Sequence, residues 1–266
     1  MGYPSLLKKA SLVGAFFVFG VYAGVALAFC PAPGNVPSAK VQRVVDGDTL
    51  RLVDGRSVRL IGLNTPELGR QGRSPEPFAE AARKRLQALV AASDERVLLQ
   101  VGKQAKDHYG RTLAHAYDSR GRNLEAQLLA EGLGYLVAVA PNLALVQCQQ
   151  AAERRARQAR AGLWQRSPVL APKQLNRGGF ALVQGRVQRI ERNGGGLWLE
   201  MGDSLVLHIA PRVLDHFDLR TVQGLQGHKI EARGWVIDRA KRGGLRAGQA
   251  RWMLPLTDKA MLEVLP

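Results

Sequence analysis

The sequence predicts a mainly β protein with packed helices, an α+β chain, laid out as two compact regions in tandem. Three observations carry this. Short runs alternate apolar and polar residues with period two in both halves of the chain, whereas long apolar stripes of helical period occur in the first half. The stretch from Arg166 to Gly179 holds Pro168, Pro172 and Gly178-Gly179 without periodicity, as a linker does. A chain of 266 residues with 46% apolar and 23% charged residues is globular in composition, and at that length two cores are as expected as one.

The chain opens with Lys8 and Lys9 and an uncharged run from Ala10 to Phe29 that contains Ala26-Leu27-Ala28, the small-x-small pattern of a cleavage site. Residues 1–28 therefore read as a secretory signal, which makes the protein secreted or periplasmic. The alternative is an uncleaved anchor with the protein facing outward, because about 20 apolar residues are long enough to span a bilayer. A short segment, residues 29–40, leads into the first region. Export places Cys30 and Cys148 in an oxidising compartment, where they are candidates for a disulfide. Cys148 also lies on the stripe Leu145, Cys148, Ala152, Ala156, Ala159 and Leu163, so a plain core cysteine is the competing reading.

From Val41 to Leu63 the alternation predicts a hairpin around Asp54-Gly55. A helix follows over residues 77–92, with Phe78, Ala82, Leu86, Leu89 and Val90 on one face and Pro75 and Pro77 at its start. Strands are predicted over Val97–Gln100 and Leu113–Tyr117. Asn123 caps a short helix that Gly132 ends, and a longer helix over Leu143–Ala161 stops at Gly162. After the linker, alternation returns over Ala181–Ile190, Leu197–Met201, Leu205–Ile209 and Lys229–Ile237, with Gly194-Gly195-Gly196 and Gly202-Asp203 as turns and a short helix near Pro211–Phe217. Strands this short, with one helix between them in a region of this size, fit a small Greek-key barrel of the OB type over residues 180–266.

Lys and Arg total 38 against 22 Asp and Glu, a net charge of +16, so the molecule attracts polyanions. Two cysteines exclude a disulfide-dense scaffold and a Cys-based zinc site. The residues that carry chemistry are Asp46, Asp48, Arg59, Asn64, Thr65, Glu67 and Arg111. With Asp54 and Gly55 as a two-residue loop, Leu50 faces Arg59 and Asp48 faces Ile61, which sets Asp48 and Arg59 on one side of the sheet as diagonal neighbours. Carboxylates, an amide, a hydroxyl and two arginines suit phosphodiester hydrolysis, where attack by water builds negative charge on the phosphoryl oxygens. Arginine forks hold such oxygens in pairs and stay charged at any working pH. Asp48 and Asn64 are candidate ligands of a hard divalent ion, calcium being the expectation for an exported protein, and Glu67 is placed to take or orient the proton of water. Taken singly, Asp46-Gly47-Asp48 reads equally as a turn, and Arg59 and Glu67 as solvated surface charges. His108 and His115 lack the flanking ligands of a metal site and read as surface or packing residues.

The Asp-Gly-Asp turn, the Val58-Arg59-Leu60 strand, Thr65-Pro66-Glu67 and Tyr109-Gly110-Arg111 occur in an order that resembles the staphylococcal nuclease (thermonuclease) family over Val41–Trp164. The resemblance implies a five-stranded OB barrel with packed helices over residues 41–165, and calcium-dependent hydrolysis of DNA and RNA that leaves 3′-phosphates. It implies that Asp48, Asn64 and the backbone carbonyl of Thr65 hold calcium with Asp46 behind them, that Arg59, Glu67 and Arg111 are the catalytic trio, and that Tyr109 touches substrate. Two positions depart from the pattern. Asn64 stands where the staphylococcal protein has an aspartate, which weakens calcium binding by removing a charge. Val137, Ala138, Val139 and Ala140 precede Pro141-Asn142 where the family representative stacks a nucleotide on tyrosines.

The second region carries Arg239, Lys241, Arg242, Arg246 and Arg251 around a glycine-containing loop, with Trp235 and Trp252 nearby. Basic loops with aromatics suit single-stranded nucleic acid, whereas Trp198, Val206, Trp235 and Val236 are equally what a small barrel core needs. The expectation is an exported monomeric nuclease acting on DNA or RNA with calcium and without a nucleotide cofactor. Its rivals are a non-catalytic nucleic-acid-binding protein of the envelope, which retention of Arg59, Glu67 and Arg111 argues against, and a structural envelope protein held by charge.

Overall fold

The computed structural model describes residues 30–266 apart from positions 70, 71, 73, 244, 246 and 247. The signal or anchor reading of residues 1–28, and Arg246 of the basic loop, lie outside the described residues. Among the described residues, no helix is long and apolar enough to cross a membrane.

Strand β1 (Ser38–Asp46), β2 (Thr49–Leu52) and β3 (Ser57–Leu60) are followed by the two-residue β4 (Leu63–Asn64), helix α1 (Ala79–Ala91), β5 (Arg96–Lys106) and β6 (Thr112–Tyr117). Five of these strands close into a barrel in the order β1-β2-β3-β6-β5, with β3 and β6 parallel, which is the OB-type barrel expected. Leu50, Leu52, Val58 and Leu60 point inward and are buried, and Thr49, Arg51, Ser57 and Arg59 alternate outward. Helix α1 covers the barrel with Ala79, Ala82, Leu86, Leu89 and Val90. Helix α2 (Leu124–Ala130) starts at Asn123, whose side chain accepts the Ala126 N–H. Strand β7 (Tyr135–Leu136) pairs with β4, and α3 (Val146–Gln158) packs on α2.

The hairpin register differs from the expected one by a residue. Thr49 faces Arg59, Leu50 faces Val58 and Arg51 faces Ser57, because the loop has three residues, Val53-Asp54-Gly55. Gly55 at φ +86° takes the left-handed position that closes such a loop, the Leu52 N–H donates to Arg56 O, and Val53 is left in solvent. In this register Asp48 aligns with Leu60 on the inward side, where the Leu60 N–H donates to Asp48 O, while Arg59 faces outward. Asp48 and Arg59 are thus not diagonal neighbours on one side of the sheet. The two side chains still meet, since the hairpin ends at Asp48 and the long Arg59 side chain curls over the rim.

Cys30 and Cys148 form a disulfide with their Cα atoms 5.5 Å apart, tying the N-terminal segment to α3. Cys148 also packs against the first core, so both readings of that residue describe it in part.

The stretch 166–179 contains β8 (Val169–Leu170) and a 3-10 turn over Pro172–Gln174, and Leu175 is buried. Beyond it come β9 (Gly179–Arg186), β10 (Arg189–Asn193), β11 (Gly196–Met201), β12 (Leu205–Ile209), a 3-10 turn over Pro211–His216, α4 (Leu219–Gln223), β13 (Lys229–Asp238), β14 (Trp252–Leu256) and β15 (Leu262–Val264). The sheet runs β10-β11-β12-β14-β13-β9-β8, with β12 and β14 parallel. Since β9 and β10 are separated only by Val187 and Gln188, the order repeats that of the first barrel, including the parallel pair and a helix before the fourth strand.

The two regions share a boundary that is both apolar and ionic. Val137, Ala138 and Val146 belong to the second core, and the Ala138 carbonyl accepts the Thr257 hydroxyl. Arg233 on β13 bonds both carboxylate oxygens of Glu153 on α3 at 2.8 and 2.7 Å. Arg157 on α3 bonds Glu231 on β13 at 2.7 Å, and Arg233 also reaches Glu231 at 3.0 Å. Glu153, Glu231 and Arg233 are buried, so each charge relies on these partners.

Candidate active site

The Asp46-Gly47-Asp48 turn joins β1 to β2 at the barrel rim, and close packing dictates its glycine. A Cβ on Gly47 comes within 2.7 Å of both the Thr65 side chain and the Ala82 methyl. That proximity lets Thr65 grip the turn: its N–H and its hydroxyl both donate to Asp48 Oδ2, at 2.9 and 3.1 Å. The Thr49 hydroxyl donates to Asp48 Oδ1 at 3.2 Å, and Arg59 approaches Oδ2 at 3.0 Å. A carboxylate so surrounded tolerates burial, and Asp48 is only 6% exposed. Asp46 lies beside it and accepts the Asp48 N–H at 3.1 Å. Burial, and then the neighbouring Asp48 charge, push the Asp46 carboxyl up to about 6.

Arg59 is fixed at four points. It donates to Leu60 O, to Leu63 O at 2.7 Å, to Asn64 Oδ1 at 3.2 Å, and to Asp48. Asn64 is held on β4 opposite Tyr135, so its amide oxygen turns toward the same guanidinium as Asp48. Gly62 at φ +86° precedes this strand, where a side chain would overlap the Gln149 amide that bonds Ile61 O. Among the described residues no three His, Cys, Asp or Glu side chains cluster as metal ligands. The oxygens that meet here are instead those of two adjacent carboxylates and the Asn64 amide. Two adjacent carboxylates, one of them pushed up by burial and then by its neighbour's charge, fit a hard divalent cation, which binds oxygen and relieves their repulsion.

Arg111 enters from the loop between β5 and β6. Its Nε donates to Asp107 Oδ2 at 2.7 Å and its N–H to Asp107 Oδ1 at 2.9 Å. Burial alone raises the Asp107 carboxyl, but the bonds and charge of Arg111 outweigh it and leave the group below the ordinary range. Because Asp107 uses Nε, the outer nitrogens of Arg111 have no partner among the described residues. Tyr109 is 74% exposed, with the Arg111 guanidinium 5.5 Å from its ring centre. Glu67 is exposed, and its backbone is held by Glu76, whose carboxylate accepts the Glu67 N–H at 3.1 Å.

Asp46, Asp48, Arg59, Asn64, Glu67, Tyr109 and Arg111 all line one groove of about 810 Å³. Thr65 is not on its wall but braces Asp48 from behind. His108 lies against Tyr109 with ring centres 3.7 Å apart, and His115 is buried beside Glu125.

The model of the staphylococcal nuclease homologue family matches residues 57–166. The thermonuclease of Staphylococcus hyicus is 31% identical over 134 residues, spanning 49% of this chain and 77% of that protein. The thermonuclease of Staphylococcus intermedius is 32% identical over 129 residues, 47% of this chain and 75% of its own length. This chain belongs to the staphylococcal nuclease family. Within the family, endonuclease YncB of Bacillus subtilis (strain 168) is 29% identical over 140 residues, 51% of this chain and 65% of that protein.

Gln104, Asn142 and Trp235 also line the groove, and no sequence pattern assigns them to it. Gln104 and Asn142 bond each other, the Asn142 side chain accepting the Gln104 N–H at 2.9 Å and donating to its carbonyl at 3.0 Å, which pins the 137–142 loop to β5. Trp235 lines the groove from β13, and no local pattern connects it to a site more than a hundred residues earlier.

Proposed function

We propose that the protein is an exported, calcium-dependent nuclease that hydrolyses phosphodiester bonds of DNA or RNA and leaves 3′-phosphates. We read residues 41–165 as the nuclease domain and residues 180–266 as an OB-like domain joined by 166–179. The observation that carries the reading is the meeting of Arg59, Glu67 and Arg111 with Asp46, Asp48 and Asn64 in one groove of a family member. The disulfide supports a place outside the reducing cytosol.

In the proposed reaction Arg59 and Arg111 hold the non-bridging phosphoryl oxygens, where charge develops as water attacks. Arg59 offers its Nε–H, its four terminal N–H groups being engaged by Leu60, Leu63, Asn64 and Asp48, and Arg111 offers its outer nitrogens because Asp107 takes its Nε, so neither has to be ordered at the moment of reaction. Glu67 accepts the proton of the attacking water. The new P–O bond forms with that oxygen, the bond to the 5′ oxygen breaks, and the 5′ oxygen leaves with a proton from solvent. Calcium held by Asp48, Asn64 and the Thr65 carbonyl, with Asp46 behind, supplies positive charge for the phosphate and positions water when bound.

The test is incubation of the purified protein with denatured DNA in calcium and in chelator, beside Glu67→Ala and Arg111→Ala. Cleavage is expected to require calcium and to fall about 10²- to 10⁴-fold in each variant. Binding of DNA without cleavage in any divalent metal would sink the proposal.

A further inference from the structure

The groove has a wall that the family domain does not provide. Of its lining residues, all but one lie between Asp46 and Asn142, and the exception is Trp235 on β13 of the second sheet. This indole is 43% exposed, whereas Trp164 and Trp252 are buried. Trp198 is stacked on His208 at 3.9 Å and does not line the groove. Exposed large apolar side chains are few among the described residues, and Tyr109, Val139 and Trp235 all open onto this one groove. Such clustering in a groove otherwise rimmed by charge marks a surface meant to be covered.

Trp235 is also held in place. It faces Phe180 across the β13–β9 ladder, with ring centres 5.4 Å apart at 68°. Phe180 lies on Tyr135 at 5.4 Å, and Tyr135 meets Trp164 edge-on at 5.6 Å. Gly234 just before it has φ +152°, and a side chain there would press on Leu254 at 3.2 Å, so β13 runs close to β14 and fixes the strand beneath the indole. The 137–140 loop on the same groove brings no aromatic ring of its own, and the second region is bonded to it through Thr257. A fixed, half-exposed indole on the wall of a groove that also holds Arg59 and Arg111 is how proteins take an unstacked nucleobase while cations take its phosphate.

We propose that Trp235 is a nucleobase-stacking platform of the nuclease groove, so that the second barrel supplies part of the substrate site and selects single-stranded nucleic acid. This rests on the nuclease reading of the groove. Bases in a duplex are already stacked on each other and cannot use the platform, whereas those of a single strand can.

The experiment compares wild type, Trp235→Ala, Trp235→Phe and Trp198→Ala on a single-stranded oligonucleotide and a hairpin duplex, with thermal melting to verify folding. The ratio of single-strand to duplex kcat/KM is expected to fall about 5- to 150-fold in Trp235→Ala, through KM and not kcat. It should be largely restored in Trp235→Phe and unchanged in Trp198→Ala. Tryptophan fluorescence quenching by oligothymidylate is read in the Glu67→Ala background, where it should vanish with Trp235→Ala. If wild type cleaves but neither KM nor quenching responds to Trp235, the platform is overturned and the nuclease stands. If wild type never cleaves but quenching depends on Trp235, the platform stands and the nuclease reading falls. Wild type that neither cleaves nor binds overturns both. If Trp235→Ala does not fold, Trp235→Leu, which keeps bulk and removes the ring, replaces it in both readouts.

Discussion

Asn64 is the position at which the resemblance implies an aspartate. Its amide oxygen accepts from Arg59 but brings no charge to the Asp46 and Asp48 pair. Asn64→Asp adds a third carboxylate, so the calcium concentration giving half-maximal cleavage is expected to fall, with an unchanged midpoint counting against Asn64 as a ligand. At this scale the sequence was informative: Asp46, Asp48, Arg59, Asn64, Glu67, Tyr109 and Arg111 all reach one groove. The reason is that they sit in short segments that fold locally into a turn, a strand end and a loop. Asp107 and Gln104 escaped notice because an aspartate aiming an arginine, or a backbone bonded to an amide, leaves no trace in residue type.

At the scale of elements, the β1–β2 turn is set by packing and not by turn chemistry alone. Gly47→Ala forces a methyl against Thr65 and Ala82, and a stability loss of about 1 to 3 kcal/mol is expected in urea unfolding, with activity falling because Thr65 no longer braces Asp48. Helices α1, α2 and α3 follow the apolar stripes that predicted them, trimmed by up to about three residues at their ends. The hairpin register was missed by one residue because a turn signal marks where a loop is, while the count of loop residues depends on which one turns left-handed. Strand β14 gave no signal either: Pro255 interrupts it, and its parallel partner β12 lies far back in the sequence.

For the whole molecule, the ionic clamp between α3 and β13 couples the first barrel to the second sheet. Burial by itself raises the Glu231 carboxyl, but bonds and charges from Arg157 and Arg233 outweigh it and hold the group below the ordinary range. A depressed carboxyl contributes stability above its unfolded value, and that contribution disappears as pH falls through the folded value. Acid unfolding monitored by circular dichroism should therefore be less steep in Glu231→Gln below about pH 4.5. Arg233→Met leaves Glu153 buried with a weaker partner, and a loss of about 3 to 5 kcal/mol in denaturant is expected. None of this clamp was legible, since charged residues read from sequence as solvated faces until the partner helix is known. The tandem arrangement of two sheets was legible from the alternation alone.

The disulfide closes a loop across 118 positions, and in the chain-entropy model that restraint is worth about 5 kcal/mol, so reduction should lower the melting temperature markedly. It also has a mechanical meaning. A pull applied at Cys30 divides there between the covalent bridge into α3, which the clamp joins to β13, and the backbone that leads to β1 at Ser38. Under tension the leading strand of the first barrel therefore shares its load with the helix that the clamp joins to the second sheet.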